Sequence, residues 1–283
     1  MKPSVLITGV STGIGYATAK YLKDQGYHVF GSVRKYDEAE KLEKEMGPGF
    51  TALVFDVRDK AMVEKAATRV KEIIGTNYLR AIVNNSGIAV YGPLQHVSVD
   101  QFRDQLEVNV IGVLNVLQAF LPLVGAEKNQ TDKPGKVINI SSVGGRLARP
   151  FYGPYNASKH AIEGMTDALR RELLDFGVDA VVIEPGPIQS EIYQKAKEDN
   201  ETFPGTIYHD LLKHKSKFIE VAQKISLPAL DVAKLIHQTI QSPKPPTRQI
   251  IVAKKWMIKL LMRLPDRIAD KMILNQMKGA MKD

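Results

Sequence analysis

The chain has 283 residues, 44% hydrophobic and 25% charged, and contains no cysteine. That composition suits a globular protein with a core large enough to need no staples, and it excludes disulfides, thiol catalysis and thiolate zinc sites. The net charge of +8 is uneven: residues 244–283 hold ten Lys/Arg against three Asp, which leaves +1 for residues 1–243 and argues against a broadly basic nucleic-acid surface.

Mean hydropathy is −0.17. No run of about 18 unbroken apolar residues occurs, so no spanning helix is expected. The sequence passes from Met1-Lys2-Pro3 straight into Val5-Leu6-Ile7 without a leader-like apolar core, which gives a cytoplasmic expectation. Seven short apolar runs read as strands: 5–7, 29–33, 52–55, 81–83, 137–140, 180–183 and 250–252. Helical periods fall between them at 14–25, 37–46, 60–74, 98–121, 156–175 and 229–241. This alternation predicts an α/β fold: a Rossmann-type, doubly wound, seven-stranded parallel sheet flanked by helices. Residues 1–254 form one domain in this reading. Within it, 187–227 lacks a clean strand and scatters Ile188, Ile192, Tyr193, Phe203, Tyr208 and Phe218 among charges.

Thr8-Gly9-Val10-Ser11-Thr12-Gly13-Ile14-Gly15 follows the first strand and opens a helix. Small residues let the backbone turn tightly and approach a pyrophosphate, and the helix start offers free N–H groups. The motif therefore predicts dinucleotide binding. The second strand ends Val33-Arg34-Lys35. A NAD site places an acid there to hold the ribose 2′-OH; here cations stand instead, and a guanidinium suits a 2′-phosphate. NADP(H) is favoured over NAD(H). Further along, Tyr155 and Lys159 share one helix face at i,i+4, and a nearby ammonium is expected to lower the phenol's pKa. Ser142 ends the fifth strand and Asn84 the fourth, at the sheet edge where ligands sit in open α/β folds.

Together these pieces resemble the classical short-chain dehydrogenase/reductase family. Residues 8–15, Asp56, 84–87, Asn109, Ser142, Tyr155, Lys159 and Pro185-Gly186 stand in family order over about residues 4–253. The resemblance implies an oxidoreductase acting on CH–OH or carbonyl groups, with Tyr155 as proton donor or acceptor. Lys159 would hold the nicotinamide ribose, Ser142 the substrate oxygen, and Asn109 a relay water. Gly9, Ser11, Thr12, Gly13, Ile14 and Gly15 would line the pyrophosphate site. Asp56 and Val57 would meet the adenine, Asn84 the adjoining backbone and ribose region, and Pro185, Gly186 and Ile188 the nicotinamide side.

A weaker, branch-level similarity to hydroxysteroid and retinol dehydrogenases covers 168–188 and Arg34 and implies a lipophilic substrate, steroid-, retinoid- or long-chain-like, under a 187–227 lid. Two alternatives stand beside it: a carbonyl reductase of small or polyketide-like substrates, and a non-catalytic NADP-sensing protein. The family commonly assembles as homodimers or homotetramers through helices at 98–121 and 156–175. Residues 255–283 read as a basic amphipathic helical extension, with Met257, Leu260, Leu261 and Leu264 on one stripe and Pro265 as a break. It packs on the domain or a second subunit, or touches an anionic membrane surface peripherally. No nucleic acid is expected, and none of the six histidines stands at zinc spacing with carboxylates, so no metal is expected.

Overall fold

A computed structural model describes residues 2–127, 134–189 and 202–282. All seven predicted strands form: β1 (Ser4–Ile7), β2 (His28–Val33), β3 (Phe50–Val54), β4 (Leu79–Asn84), β5 (Lys136–Ile140), β6 (Asp179–Pro185) and β7 (Arg248–Ile251). They make one parallel sheet in the order β3-β2-β1-β4-β5-β6-β7. The order reverses between β1 and β4, and a crevice opens at strand C-terminal ends at such a switch point.

Alternate side chains of each strand feed opposite layers. In β1, Leu6 joins a core built on α3 (Lys60–Ile74), α5 (Gly112–Phe120) and α6 (Gly153–Glu172). Its neighbours Val5 and Ile7 join the other core, under α1 (Gly13–Asp24), α2 (Tyr36–Met46) and α9 (Ala229–Gln241). Both faces being covered, the strands are apolar on both sides.

The predicted 98–121 helix is one rod with a change of winding. It runs as α4 (Val99–Leu106), a π turn (Glu107–Ile111), α5 and a 3₁₀ turn (Leu121–Val124). Val99–Val124 contains an 18-residue window with a mean hydropathy of 1.6 and is, by length and composition alone, apolar enough to cross a membrane. The expectation that no such helix exists is thus corrected: scattered polar residues interrupt the apolar run without lowering its average. Half of that window is buried inside the protein, as a core helix should be. The predicted 156–175 helix begins earlier, at Gly153, because Pro154 is tolerated in a first turn whose N–H is unpaired.

Two short helices, α7 (His209–Leu212) and α8 (Lys215–Lys224), occupy the second half of the 187–227 insertion. Ile192 and Tyr193 lie outside the described residues. Phe203 and Tyr208 do not line the cleft. They pack with His96 and Phe151 in a ring cluster, centroids 5.8–6.0 Å apart, that fastens the insertion to neighbouring loops. The tail splits at Pro265 into α10 (Lys255–Leu261) and α11 (Asp266–Lys282). Of the predicted apolar stripe, Leu264 lies beyond α10 and Leu261 is half-buried. Ile258 is the buried residue of α10, while Met257 and Leu260 face solvent.

Candidate active site

A cleft of about 330 Å³ runs along the C-terminal ends of β1 to β6. At one end lies the glycine loop. Gly9 and Gly13 take φ of +70° and +60°, a backbone that side chains rarely adopt. Thr12 precedes α1 without capping it through its side chain, so the first N–H groups of that helix are free to meet an anion. Gly9, Ser11, Thr12, Gly13 and Ile14 line the cleft. Gly15 does not. A Cβ there would stand 2.1 Å from the Gly9 carbonyl oxygen, so its lack of a side chain lets α1 pack against the turn. Ser32 braces the turn by accepting from the Gly9 N–H at 3.0 Å.

Arg34 stands exposed on the cleft wall beside Asp56 and Val57. Both carboxylate oxygens of Asp56 are taken by Arg58, at 2.8–3.1 Å. Those hydrogen bonds hold Asp56 below the usual carboxylate range. A second arm of Arg58 reaches Asp104 at 2.7 Å. The sequence reading missed Arg58, although its i,i+2 spacing from Asp56 was a usable signal.

Asn84 is corrected. Its side chain is buried in the sheet and donates to Asn139 Oδ1 at 2.8 Å. The wall position belongs to Asn85, whose amide donates to the Thr8 and Gly9 carbonyls at 2.9 and 3.0 Å. Strand alternation explains the exchange, since adjacent residues face opposite ways. Asn109 sits in the π turn, also behind the wall. Its side chain accepts from the Ile88 N–H and donates to the Ile88 carbonyl and Ser158 Oγ, at 2.9–3.1 Å. With those atoms engaged, a relay water at this residue would have to use the main chain.

Ser142, Tyr155 and Lys159 converge on the opposite wall, with Pro185, Gly186 and Ile188 beside them. The Ser142 hydroxyl accepts from the Gly144 N–H at 3.0 Å and lies 3.4 Å from the Pro185 carbonyl. Lys159 donates to the Ile140 carbonyl at 2.8 Å, and its Nζ is 5.7 Å from the Tyr155 ring centroid. Burial pushes the Tyr155 phenol up, a hydrogen bond with Ser142 opposes this, and Tyr152 adds to the rise. Burial also brings Lys159 down to about 8, against the pull of Glu163. The expected lowering of the phenol by the ammonium is therefore not met: burial is the largest cause at both groups, and what opposes it is Ser142 at Tyr155 and Glu163 at Lys159.

The sequence profile described as short chain dehydrogenase matches residues 3–201. The chain belongs to the short-chain dehydrogenase family. It is 42% identical over 274 residues to an NADPH-dependent 3-dehydrocapnine reductase of Ornithobacterium rhinotracheale, covering 96% of each chain. It is 29% identical over 278 residues to a 3-ketodihydrosphingosine reductase of Bacteroides thetaiotaomicron, covering 95% of this chain and 98% of the other. The fold matches a short-chain dehydrogenase of Streptomyces avermitilis with a TM-score of 0.79 at 22% identity, covering 100% of this chain and 99% of that one.

In this short-chain dehydrogenase an acidic centre lies behind Lys159. Glu163, one turn further along α6, accepts from Arg248 Nε at 2.9 Å, and Arg248 also meets Asp167 at 2.8 Å. Glu184 is fully buried, 3.9 Å from both Arg146 and Arg248, and its oxygens have no hydrogen-bond partner among the described residues. Burial raises its pKa to about 7, Glu163 adding to the effect and the nearby cations opposing it. The sequence reading missed this centre too. Its signal was a glutamate closing the apolar run Val181-Val182-Ile183, since such a residue is seldom fully buried without partners.

Proposed function

We propose that the chain is an NADP(H)-dependent reductase of a carbonyl group on a lipophilic substrate. One observation carries this reading: Ser142, Tyr155 and Lys159 share a wall of the same cleft whose far end is the glycine turn and Arg34. The cradle fits a dinucleotide. Two glycines with positive φ and an uncapped helix start suit a pyrophosphate, and Arg34 suits a 2′-phosphate. Held there, NADPH would supply hydride chemistry at the carbonyl carbon. Ser142 and Tyr155 hold the carbonyl oxygen, and the proton that completes the hydroxyl comes from Tyr155 Oη. A phenol pushed up by burial stays protonated at neutral pH, which suits proton donation and thus reduction. Lys159 holds the ribose side and stabilises the phenolate that donation leaves.

Tyr91, Val143, Tyr152, Pro187, Ile188 and Ala222 surround the catalytic end, which supports an apolar substrate body. The relatives named for a 3-dehydro and a 3-keto compound support carbonyl reduction. Ile111 and Leu114, 40% and 38% exposed on the central rod, support assembly into a homo-oligomer there.

Calorimetric titration with NADPH and NADH, followed by turnover of long-chain 3-keto compounds against small ketones, tests the reading. Tighter NADPH binding and faster long-chain turnover are expected. Preference for NADH would remove the role of Arg34. Binding without turnover of any carbonyl would favour the sensor.

A further inference from the structure

The two tail helices each have an inner and an outer side. On α10, Ile258 is buried against Val143 and Ile250. Trp256 and Leu260, one turn apart on the opposite side, are 69% and 53% exposed. On α11, Ala269 is buried, whereas Ile268 and Met272 are each 49% exposed. The inner side of α11 rests on α8, the insertion helix whose Ala222 lines the cleft. Lys259, Arg263, Arg267 and Lys271 are exposed among these apolar residues. None of the four forms an ion pair among the described residues.

Charge decides what covers this surface. A second copy docked through the same face would set one +7 segment against another. A nucleic acid would satisfy the cations and leave four large apolar side chains against phosphate. An anionic bilayer satisfies both sets: apolar side chains enter the boundary between headgroups and acyl chains, and long cationic ones reach the lipid phosphates. We propose that α10 and α11 are a membrane-docking surface that places Trp256, Leu260, Ile268 and Met272 in the interface of an anionic bilayer. This deepens the lipophilic-substrate reading and rests on it only for its purpose, bringing the cleft-lining insertion to the surface where such a substrate dissolves.

The test uses the full chain and lipid vesicles without substrate. Trp256 is the single tryptophan, so its emission reports this surface alone. Flotation with vesicles of phosphatidylcholine and phosphatidylglycerol, a blue shift of that emission, and release by salt are expected. The variant K259E/R267E/K271E should bind at least about tenfold more weakly, and L260Q/I268Q/M272Q should lose the blue shift; NADPH affinity serves as the folding control for both. Absence of flotation with the anionic vesicles would overturn the proposal. So would flotation with unchanged Trp256 emission, or lipid-free emission that shifts blue with protein concentration, which would make a second copy the occupant. Failure of the long-chain turnover screen leaves vesicle binding standing, and the reverse also holds.

Discussion

The two ends of the cleft are built by opposite means. The glycine-loop end is made of main chain: two positive-φ glycines and an uncapped helix start, with Arg34 as its main charged side chain. The catalytic end is made of side chains locked by partners far away in sequence. Lys159 is held by Ile140, Ser142 lies against Pro185, and Asn109 is bonded to Ile88 and Ser158. Main chain can cradle a charged group without titrating. The catalytic end has to move a proton, so it needs groups whose protonation the protein can tune.

Four substitutions bear on this contrast. The largest effect is expected from Tyr155→Phe. Turnover should fall by about 10²–10⁴-fold with NADPH affinity nearly unchanged by titration. An equal loss of affinity would mean that the Tyr155 hydroxyl, and not Lys159 alone at this end, holds the cofactor, and its role would not be confined to the proton. Next, Arg34→Ala should weaken NADPH by about 10–100-fold, the worth of a charge-assisted contact, and leave NADH unaffected. Equal weakening of both would reduce Arg34 to a surface charge.

Glu184→Gln sharpens the picture of tuned groups. The folded pKa of about 7 lies above the ordinary 4.5, so the neutral carboxyl stabilises the fold. That stabilisation is complete below about 4.5, declines as pH rises, and is gone above about 7. Its size is on the order of 3 kcal/mol. The variant's urea midpoint should therefore be flatter than the wild type's across that window. An unchanged slope would show that Glu184 is ionised throughout. The smallest effect belongs to Asn84→Ala. It removes the bond to Asn139, costs about 1–2 kcal/mol of stability, and should not change NADPH affinity. A loss of affinity would return Asn84 to the cleft wall.

The sequence carried the architecture well because strands covered on both faces are apolar runs, and β1 to β7 each show one. It carried the glycine-loop end for a related reason: a positive φ leaves its mark as Gly9 and Gly13. It blurred where residues differ only by the side they face. Asn84 and Asn85 are identical in type, and only the pleat tells them apart. Gly15 looks like its companions yet serves packing. Arg58, Arg146 and Arg248 escaped because their acidic partners are distributed over the loop after β3, the helices α4 and α6, and strand β6. The balance of burial and charge at Tyr155 escaped as well, since i,i+4 spacing specifies proximity and not desolvation.

The π turn at Glu107–Ile111 has a consequence for chain length. Each residue of a helix advances its face by about 100°. Removing one residue from this turn would rotate everything after it relative to everything before it. Either Asn109 would leave Ile88 and Ser158, or Val113, Val116 and Phe120 would leave the core they now fill. The central rod is therefore phased to two interiors at once, and a deletion inside it is a heavier lesion than any single substitution along its length.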